Sequence, residues 1–415
     1  MRVLWILNMV LPGVAKKLKL NTSVSGGWLV DYANQLANDP NIELATMTYA
    51  NVDKFINSKA CNIQNYIFPG GGKRLLFNSR KTIKDCKKVI EDFKPDVIHI
   101  HGTEYSMGYS MLQLDLKIPV VLTIQGVLTR ISKEYYGGLT RKELFKCVTL
   151  KEIIKLKFPL ITKKMFLRNA KREQYVLKHV KYVTGRTTWD KSTMLSINND
   201  LKYYRLNYNL REEFYEAKKW NSEEMNPYTI YCGASTYPLK GLHIILDALK
   251  IVKQDYPQVK LLIPGNSFTS LDTKRKNGYE KFIIQKIKKL KLEDNVTFLG
   301  RKNAKEVCEI LPKVNVCVVS SAMEGASATI CEAMMIGTPC ICTYRGGMTD
   351  LLKDGYSGFY YDFPEYPVLA ERIKTLFSNI ELCEEFSKRT IIDATNRHNR
   401  EKNIIELKNI YNEIC

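Results

Sequence analysis

At 415 residues the chain is too long for one compact core and suits two domains of about 200 residues each. A hydrophobic content of 45% excludes a disordered chain, and no apolar run approaches the ~20 residues of a membrane span, as in a soluble or peripheral protein. The 63 Lys and Arg against 43 Asp and Glu leave a charge of +20, which suits polyanions or an anionic membrane surface, or reflects no more than a Lys-, Asn- and Ile-rich composition. In chain order, Met1 to Pro12 is an apolar run interrupted by Asn8 and Pro12, which reads as a first strand, Val3 to Leu7, rather than a signal peptide. Further strands are predicted at Ile42 to Thr48, Val97 to Ile100, Val120 to Ile124 and Tyr182 to Thr184, with helices at Trp28 to Leu36 and Thr82 to Phe93. Strand-helix alternation argues for a parallel sheet covered by helices, which binds ligands beyond the carboxyl ends of its strands.

Phe214 to Pro227 is polar and reads as the linker between domains. The alternation then resumes, with strands at Tyr228 to Cys232, Lys260 to Ile263, Val296 to Leu299, Val314 to Val319, Cys340 to Thr343 and Gly358 to Tyr361. Gly241 to Asp255 is an amphipathic helix with Leu242, Ile245, Leu246, Leu249 and Ile251 apolar. Arg400 to Ile414 carries Ile404, Leu407, Ile410 and Tyr411 at helical spacing. The eleven cysteines are scattered without a Cys-x-x-Cys pair, which fits a reducing compartment.

Ser320 to Pro339 carries the most chemistry. Val314 to Val319 is a buried strand, and Ala328 to Ile336 is a helix stopped by Gly337 and Pro339. Between them, Gly325, Ala326, Ser327 and Ala328 have so little side chain that backbone N–H groups can approach a phosphate. The helix start adds its partial positive charge there. Glu324 precedes this loop and Glu332 lies one turn inside the helix, so both carboxylates can line one cleft with a diphosphate between them.

Glu324, seven intervening residues, Glu332, Ala333-Met334 and Gly337-Thr338-Pro339 together resemble the retaining nucleotide-sugar glycosyltransferases of family four (glycosyl transferases group 1), of the bacterial polysaccharide-assembly type. The resemblance implies the GT-B fold, two Rossmann-like domains facing across a cleft. The domains would be an acceptor-binding domain over 1–214 and a nucleotide-sugar-binding domain over 228–390, with a helix over 391–415 returning to the first. It implies that Glu324 faces the donor sugar, that Glu332 binds the ribose and that Gly325, Ala326, Ser327, Ala328 and Thr329 offer amides to the diphosphate.

Gly233 to Gly241 follows the first strand of the second domain, where Lys240 can place its ammonium on a diphosphate. The resemblance gives Lys240 the leaving group. It also implies an arginine directly after Gly233, where Ala234 and Ser235 stand instead. Ser235 is kept as a donor contact, with Arg186 or Arg301 as substitutes for the missing base. Gly26 and Gly27, before the first helix, free the backbone to approach the donor phosphates. After the strand Val120 to Ile124, the family's usual histidine is replaced by Gln125. Gln125 cannot ionise near neutral pH but can exchange hydrogen bonds with sugar hydroxyls.

His99 and His101 share one face of a strand without further ligands, so they read as structural or cleft-lining. Glu104 lies just beyond and could reach an acceptor. No metal or other cofactor is expected. Leu150 to Arg172 is basic and interleaved with apolar residues, as in a surface for an anionic bilayer or in an ordinary solvated helix. Nucleic acid is a poorer fit. The expectation is a cytoplasmic hexosyltransferase, at the inner membrane face where the acceptor is lipid-linked. A nucleotide-sugar epimerase on the same scaffold and a non-catalytic binding subunit are the alternatives.

Overall fold

β-Branched apolar runs separated by amphipathic stretches fold into two parallel sheets. The structure is a computed structural model that describes residues 1–20, 27–71, 80–156, 158–233, 237–265 and 276–415. The chain divides into two units: Met1–Thr129, Leu167–Arg211 and His398–Cys415 form unit 1, and Arg130–Phe166 with Glu212–Arg397 form unit 2.

In unit 1 the strands are β1 (Arg2–Ile6), β2 (Glu43–Ala50), β3 (Ile56–Ala60), β4 (Ile63–Pro69), β5 (Val97–His101), β6 (Val120–Thr123), β7 (Tyr182–Gly185) and β8 (Lys202–Arg205). Their order is β3-β4-β2-β1-β5-β6-β7-β8, with β3 alone antiparallel, against β4. The central strands β1 and β5 are buried throughout except at Arg2, because helices cover both faces. The edge strands β3 (Ile-Asn-Ser-Lys-Ala) and β8 (Lys-Tyr-Tyr-Arg) lack such a run, which is why their composition did not mark them as strands. β3 and β4 are joined through Cys61 and Asn62, both at positive φ (55° and 60°), the two-residue turn whose twist suits a hairpin.

The terminal helix Arg400–Ile414 packs in unit 1, burying Ile404, Leu407, Ile410 and Tyr411. The Tyr411 hydroxyl accepts a hydrogen bond from Trp5 Nε1 at 2.9 Å and lies 2.5 Å from His99 Nδ1. His99 Nε2 is bonded to Thr123 Oγ1 at 2.6 Å. Both ring nitrogens are thus committed to the core, and burial lowers the His99 pKa to about 3, so His99 is structural.

In unit 2 the strands are β9 (Asn226–Tyr231), β10 (Lys260–Pro264), β11 (Val296–Gly300), β12 (Val314–Val319), β13 (Cys340–Thr343) and β14 (Phe359–Tyr361). All are parallel, in the order β11-β10-β9-β12-β13-β14. The stretch read as a linker is packed here: Phe214 is fully buried, and Trp220 Nε1 donates to the Val314 carbonyl at 2.8 Å. Arg130–Phe166, which the sequence pattern groups with the first domain, clusters instead with unit 2. The buried His243 bonds the Gly137 carbonyl at 2.8 Å through Nε2 and the Tyr279 hydroxyl at 3.0 Å through Nδ1.

Candidate active site

The strand order of unit 2 reverses between β9 and β12, and a parallel sheet opens a crevice where its order reverses. The two segments singled out from sequence leave the sheet at that place. Gly233 to Gly241 follows β9, and Ser320 to Ser327 follows β12. Backbone contacts join them: Ala322 N donates to the Leu239 carbonyl at 2.8 Å, and Ser320 Oγ donates to the Lys240 carbonyl at 3.2 Å. Gly241 makes the approach possible, because it sits at φ 68° and a Cβ there would come 1.8 Å from the Ser320 carbonyl oxygen.

The result is an ion pair between Lys240 Nζ and Glu324 Oε1, with both side chains largely withdrawn from water. Burial disfavours the Lys240 ammonium. The charge of Glu324, that of Tyr237 and the hydrogen bond to Glu324 outweigh it, so the Lys240 pKa lies above its ordinary value. Ser321 Oγ donates to the same Glu324 oxygen at 3.2 Å. The Glu324 carbonyl accepts from Gly347 N at 2.9 Å.

The helix Ala328–Ile336 begins beside the pair. Its N-cap Ser327 makes no side-chain cap hydrogen bond, so the first-turn amides keep their donor capacity. Thr329 lies over the end of β9, where a Cβ on Gly233 would come 2.6 Å from Thr329 Oγ1. Glu332 is half-buried on the same helix, close enough to Cys317 of β12 for its charge to act on that thiol. Carboxylate, ammonium and free helix-start amides at a switch point can together hold a polyhydroxylated ligand bearing phosphate.

Residues 213–392 match the family described as glycosyl transferases group 1. An uncharacterized glycosyltransferase of Methanocaldococcus jannaschii is 24% identical over 404 residues, covering 94% of this chain and 95% of the relative. The second half of the chain is similar to the group 1 glycosyltransferases, and nearly its whole length is similar to a glycosyltransferase. The capsular polysaccharide biosynthesis glycosyltransferase CapM of Staphylococcus aureus is 25% identical over 173 residues, 42% of this chain and 43% of that protein. Among solved structures, sucrose-phosphate synthase from Thermosynechococcus elongatus superimposes with a TM-score of 0.75 at 14% identity, covering 100% of this chain and 98% of that one. Anabaena HepE in complex with UDP and glucose gives a TM-score of 0.69 at 16% identity over 100% of both chains. The fold of this glycosyltransferase is GT-B.

Of the residues predicted for its donor site, Lys240 and Glu324 meet directly, and Gly325, Ala326, Ser327, Ala328, Thr329 and Glu332 continue from them into the helix. Arg301 is exposed after β11, the strand at the sheet edge, two strands away from β9. Gly26 and Ser235 lie outside the described residues, while Gly27 opens the helix Gly27–Ala37 of unit 1. The sequence reading missed Ser321 and the Gly346-Gly347 turn after β13. A glycine pair two residues beyond a buried strand was the available signal. Gly346 has φ 65°, and a Cβ there would come 2.1 Å from the Glu324 carbonyl oxygen. Gly346→Ala is therefore expected to cost about 2 kcal/mol in chemical denaturation and to lower initial transfer rates more than about tenfold by displacing Glu324. An unaltered rate would mean that the Glu324 backbone position does not matter.

In unit 1 the corresponding reversal lies between β1 and β5. Gln125 Nε2 donates to the His101 carbonyl at 3.2 Å, and Arg186 Nη2 donates to the Gln125 carbonyl at 2.6 Å. Arg186 also lies over the Tyr208 ring at 5.0 Å, so the structure commits this substitute base to unit 1. The buried Glu173 accepts from Thr103 Oγ1 at 2.7 Å and from the amides of Leu128 and Thr129 at 2.9 and 2.8 Å, pinning the loop after Gln125. Glu104 converges with Gln125 over Gly102. A Cβ on Gly102 would come 2.2 Å from Glu104 Oε2 and 3.1 Å from Gln125 Nε2. Glu104 Oε2 is sealed from solvent without a hydrogen-bond partner. Burial, reinforced by the charge of Glu173, pushes the Glu104 pKa up to about 7 against the opposing amides of Glu104 and Gly126 and the charge of Arg186.

Proposed function

We propose that this glycosyltransferase is a retaining hexosyltransferase that moves a sugar from a nucleoside diphosphate donor to a glycan or lipid-linked acceptor in bacterial surface polysaccharide assembly, at the cytoplasmic face of the membrane. The observation that carries the reading is the Lys240–Glu324 pair beside an uncapped helix start at the switch point of unit 2. The donor diphosphate lies against the amides of Gly325 to Thr329. Lys240 turns from Glu324 to the diphosphate, and Glu324 is released to the donor sugar's hydroxyls. Glu332 takes the ribose.

The bond from the sugar's anomeric carbon to the leaving phosphate oxygen breaks while the acceptor oxygen bonds to the same face. The acceptor's proton passes to the departing phosphate, so no protein base and no metal is required. Lys240 and the amides stabilise the charge that develops on the leaving group. Gln125 serves sugar hydroxyls at the strand ends of unit 1. Support comes from the HepE complex, which holds UDP and glucose, and from the likeness to CapM, a capsular polysaccharide biosynthesis glycosyltransferase.

The test is a melting-temperature screen against UDP, GDP and ADP, followed by NMR of the product anomer. One diphosphate at about one hundred times its Kd should stabilise the protein by about 2.7 kcal/mol. The product should keep the donor's anomeric configuration. A flat screen with all three would remove the donor-site assignment, and an inverted anomer would remove retention.

A further inference from the structure

Large apolar side chains stand in water along one short stretch of unit 2. Phe145 is 76% exposed, Leu150 80% and Ile154 82%, with Ile153, Leu156 and Leu160 also exposed. Leu150, Ile153 and Ile154 stand at i, i+3 and i+4 in the helix Leu150–Ile154 and so share one face. The polar groups of this helix hold it to the body of unit 2. Thr149 and Glu152 form a reciprocal cap, and Glu152 Oε2 also accepts from Gly278 N at 3.0 Å. Gly278 lies flush against the Cys147 carbonyl, whose oxygen is 1.9 Å from where a Cβ would stand. The apolar face is therefore held outward by a built attachment.

Its surroundings are cationic. From Arg141 to Phe166 the chain carries eight Lys and Arg against two Glu. Both glutamates, Glu143 and Glu152, are engaged in capping boxes with Thr140 and Thr149. Lys151 and Lys155 flank the apolar face. Apolar side chains ringed by lysines match an anionic bilayer, with headgroups meeting the ammonium groups and acyl chains meeting the leucines and isoleucines. A second copy of the chain would bring the same positive charges together, and nucleic acid would leave the apolar face in water.

We propose that the ridge from Leu150 to Leu156 docks this transferase on an anionic membrane surface. The inference rests on the lipid-linked branch of the function proposed above and adds where the contact is made: on the donor-binding unit, by an inserted segment. That segment also touches the donor loop, since a Cβ on Gly137 would come 2.2 Å from the Pro238 carbonyl oxygen, two residues before Lys240.

The experiment is flotation of the full chain with vesicles of phosphatidylcholine alone or with about one third phosphatidylglycerol, run beside the UDP, GDP and ADP melting screen. The wild type should float with the anionic vesicles, at least about tenfold less with neutral ones, and less again in about 0.5 M salt. Leu150→Asp with Ile154→Asp should lose anionic-vesicle binding about tenfold or more while keeping the wild-type response to the nucleoside diphosphates. Wild-type protein that stays unbound, or a double variant that still floats, would overturn the docking proposal. So would a concentration-dependent dimer in light scattering that the double variant abolishes, since the ridge would then join two copies. A diphosphate shift without flotation defeats docking alone, and flotation without any diphosphate shift defeats the donor-site reading alone.

Discussion

Glu324→Gln is expected to lower the transfer rate about 10²- to 10³-fold, the scale seen when one pre-positioned transition-state contact is removed. The substitution keeps the size of the side chain and a hydrogen-bond acceptor for Ser321 Oγ, so the loop after β12 should hold its course. What disappears is the negative charge. Lys240 is largely buried, and the charge of Glu324 is the strongest influence holding its ammonium against burial. Without that charge the resting Lys240 ammonium loses its partner, and in the donor complex, where the diphosphate takes over that ammonium, the sugar loses its carboxylate. The second loss falls on the transition state, so kcat should drop far more than the donor KM changes. Steady-state release of nucleoside diphosphate with a melting curve on the same sample checks this. Turnover at the wild-type rate with an intact fold would take Glu324 out of the mechanism.

Lys240 and Glu324 lie 84 positions apart in sequence, and what was legible is that each follows a buried parallel strand, not that the two side chains pair. β9 ends in the buried Thr229-Ile230-Tyr231 and β12 is buried throughout, and a strand-loop-helix unit places the loop at the carboxyl edge whatever the rest of the chain does. Their adjacency in the sheet was not legible from the strands themselves and came only with the family resemblance. Arg301 shows the limit of such reasoning: it too follows a strand of the same sheet, but β11 lies at the edge, and strand order is a non-local property. The placement of Arg130–Phe166 failed to appear for the same reason. Its attachment runs through single contacts such as His243 to Gly137 and Glu152 to Gly278, which leave no periodic signal. Residues that serve the local backbone were the hardest to see. Glu173 lies within an ordinary basic helix, Pro159–His179, and only the fold shows that it bonds the loop after Gln125.

Glu104→Gln is expected to stabilise the protein at pH 8 and to leave its stability near wild type at pH 4.5. The Glu104 carboxyl titrates at about 7 in the folded chain against an ordinary value of 4.5. Below pH 4.5 it is protonated folded or unfolded and contributes no difference. Between 4.5 and 7 the unfolded chain gives up the proton while the folded chain keeps it, so stability falls as pH rises. Above 7 the group is ionised in both states, and the folded chain bears the whole cost of a buried carboxylate, about 3 kcal/mol from the separation of the two values. Glutamine removes that charge, and its amide can still meet the Gly126 N–H. Denaturant midpoints of the two proteins across this pH range measure the difference directly. A fold that keeps an ill-solvated carboxylate over Gly102, beside Gln125, carries a cost that its own packing does not offset. Such a cost is what a group serving a polar ligand would leave in the ligand-free protein. If the glutamine protein is no more stable than wild type at pH 8, Glu104 is already satisfied in the resting fold and has no bond left to offer an acceptor hydroxyl.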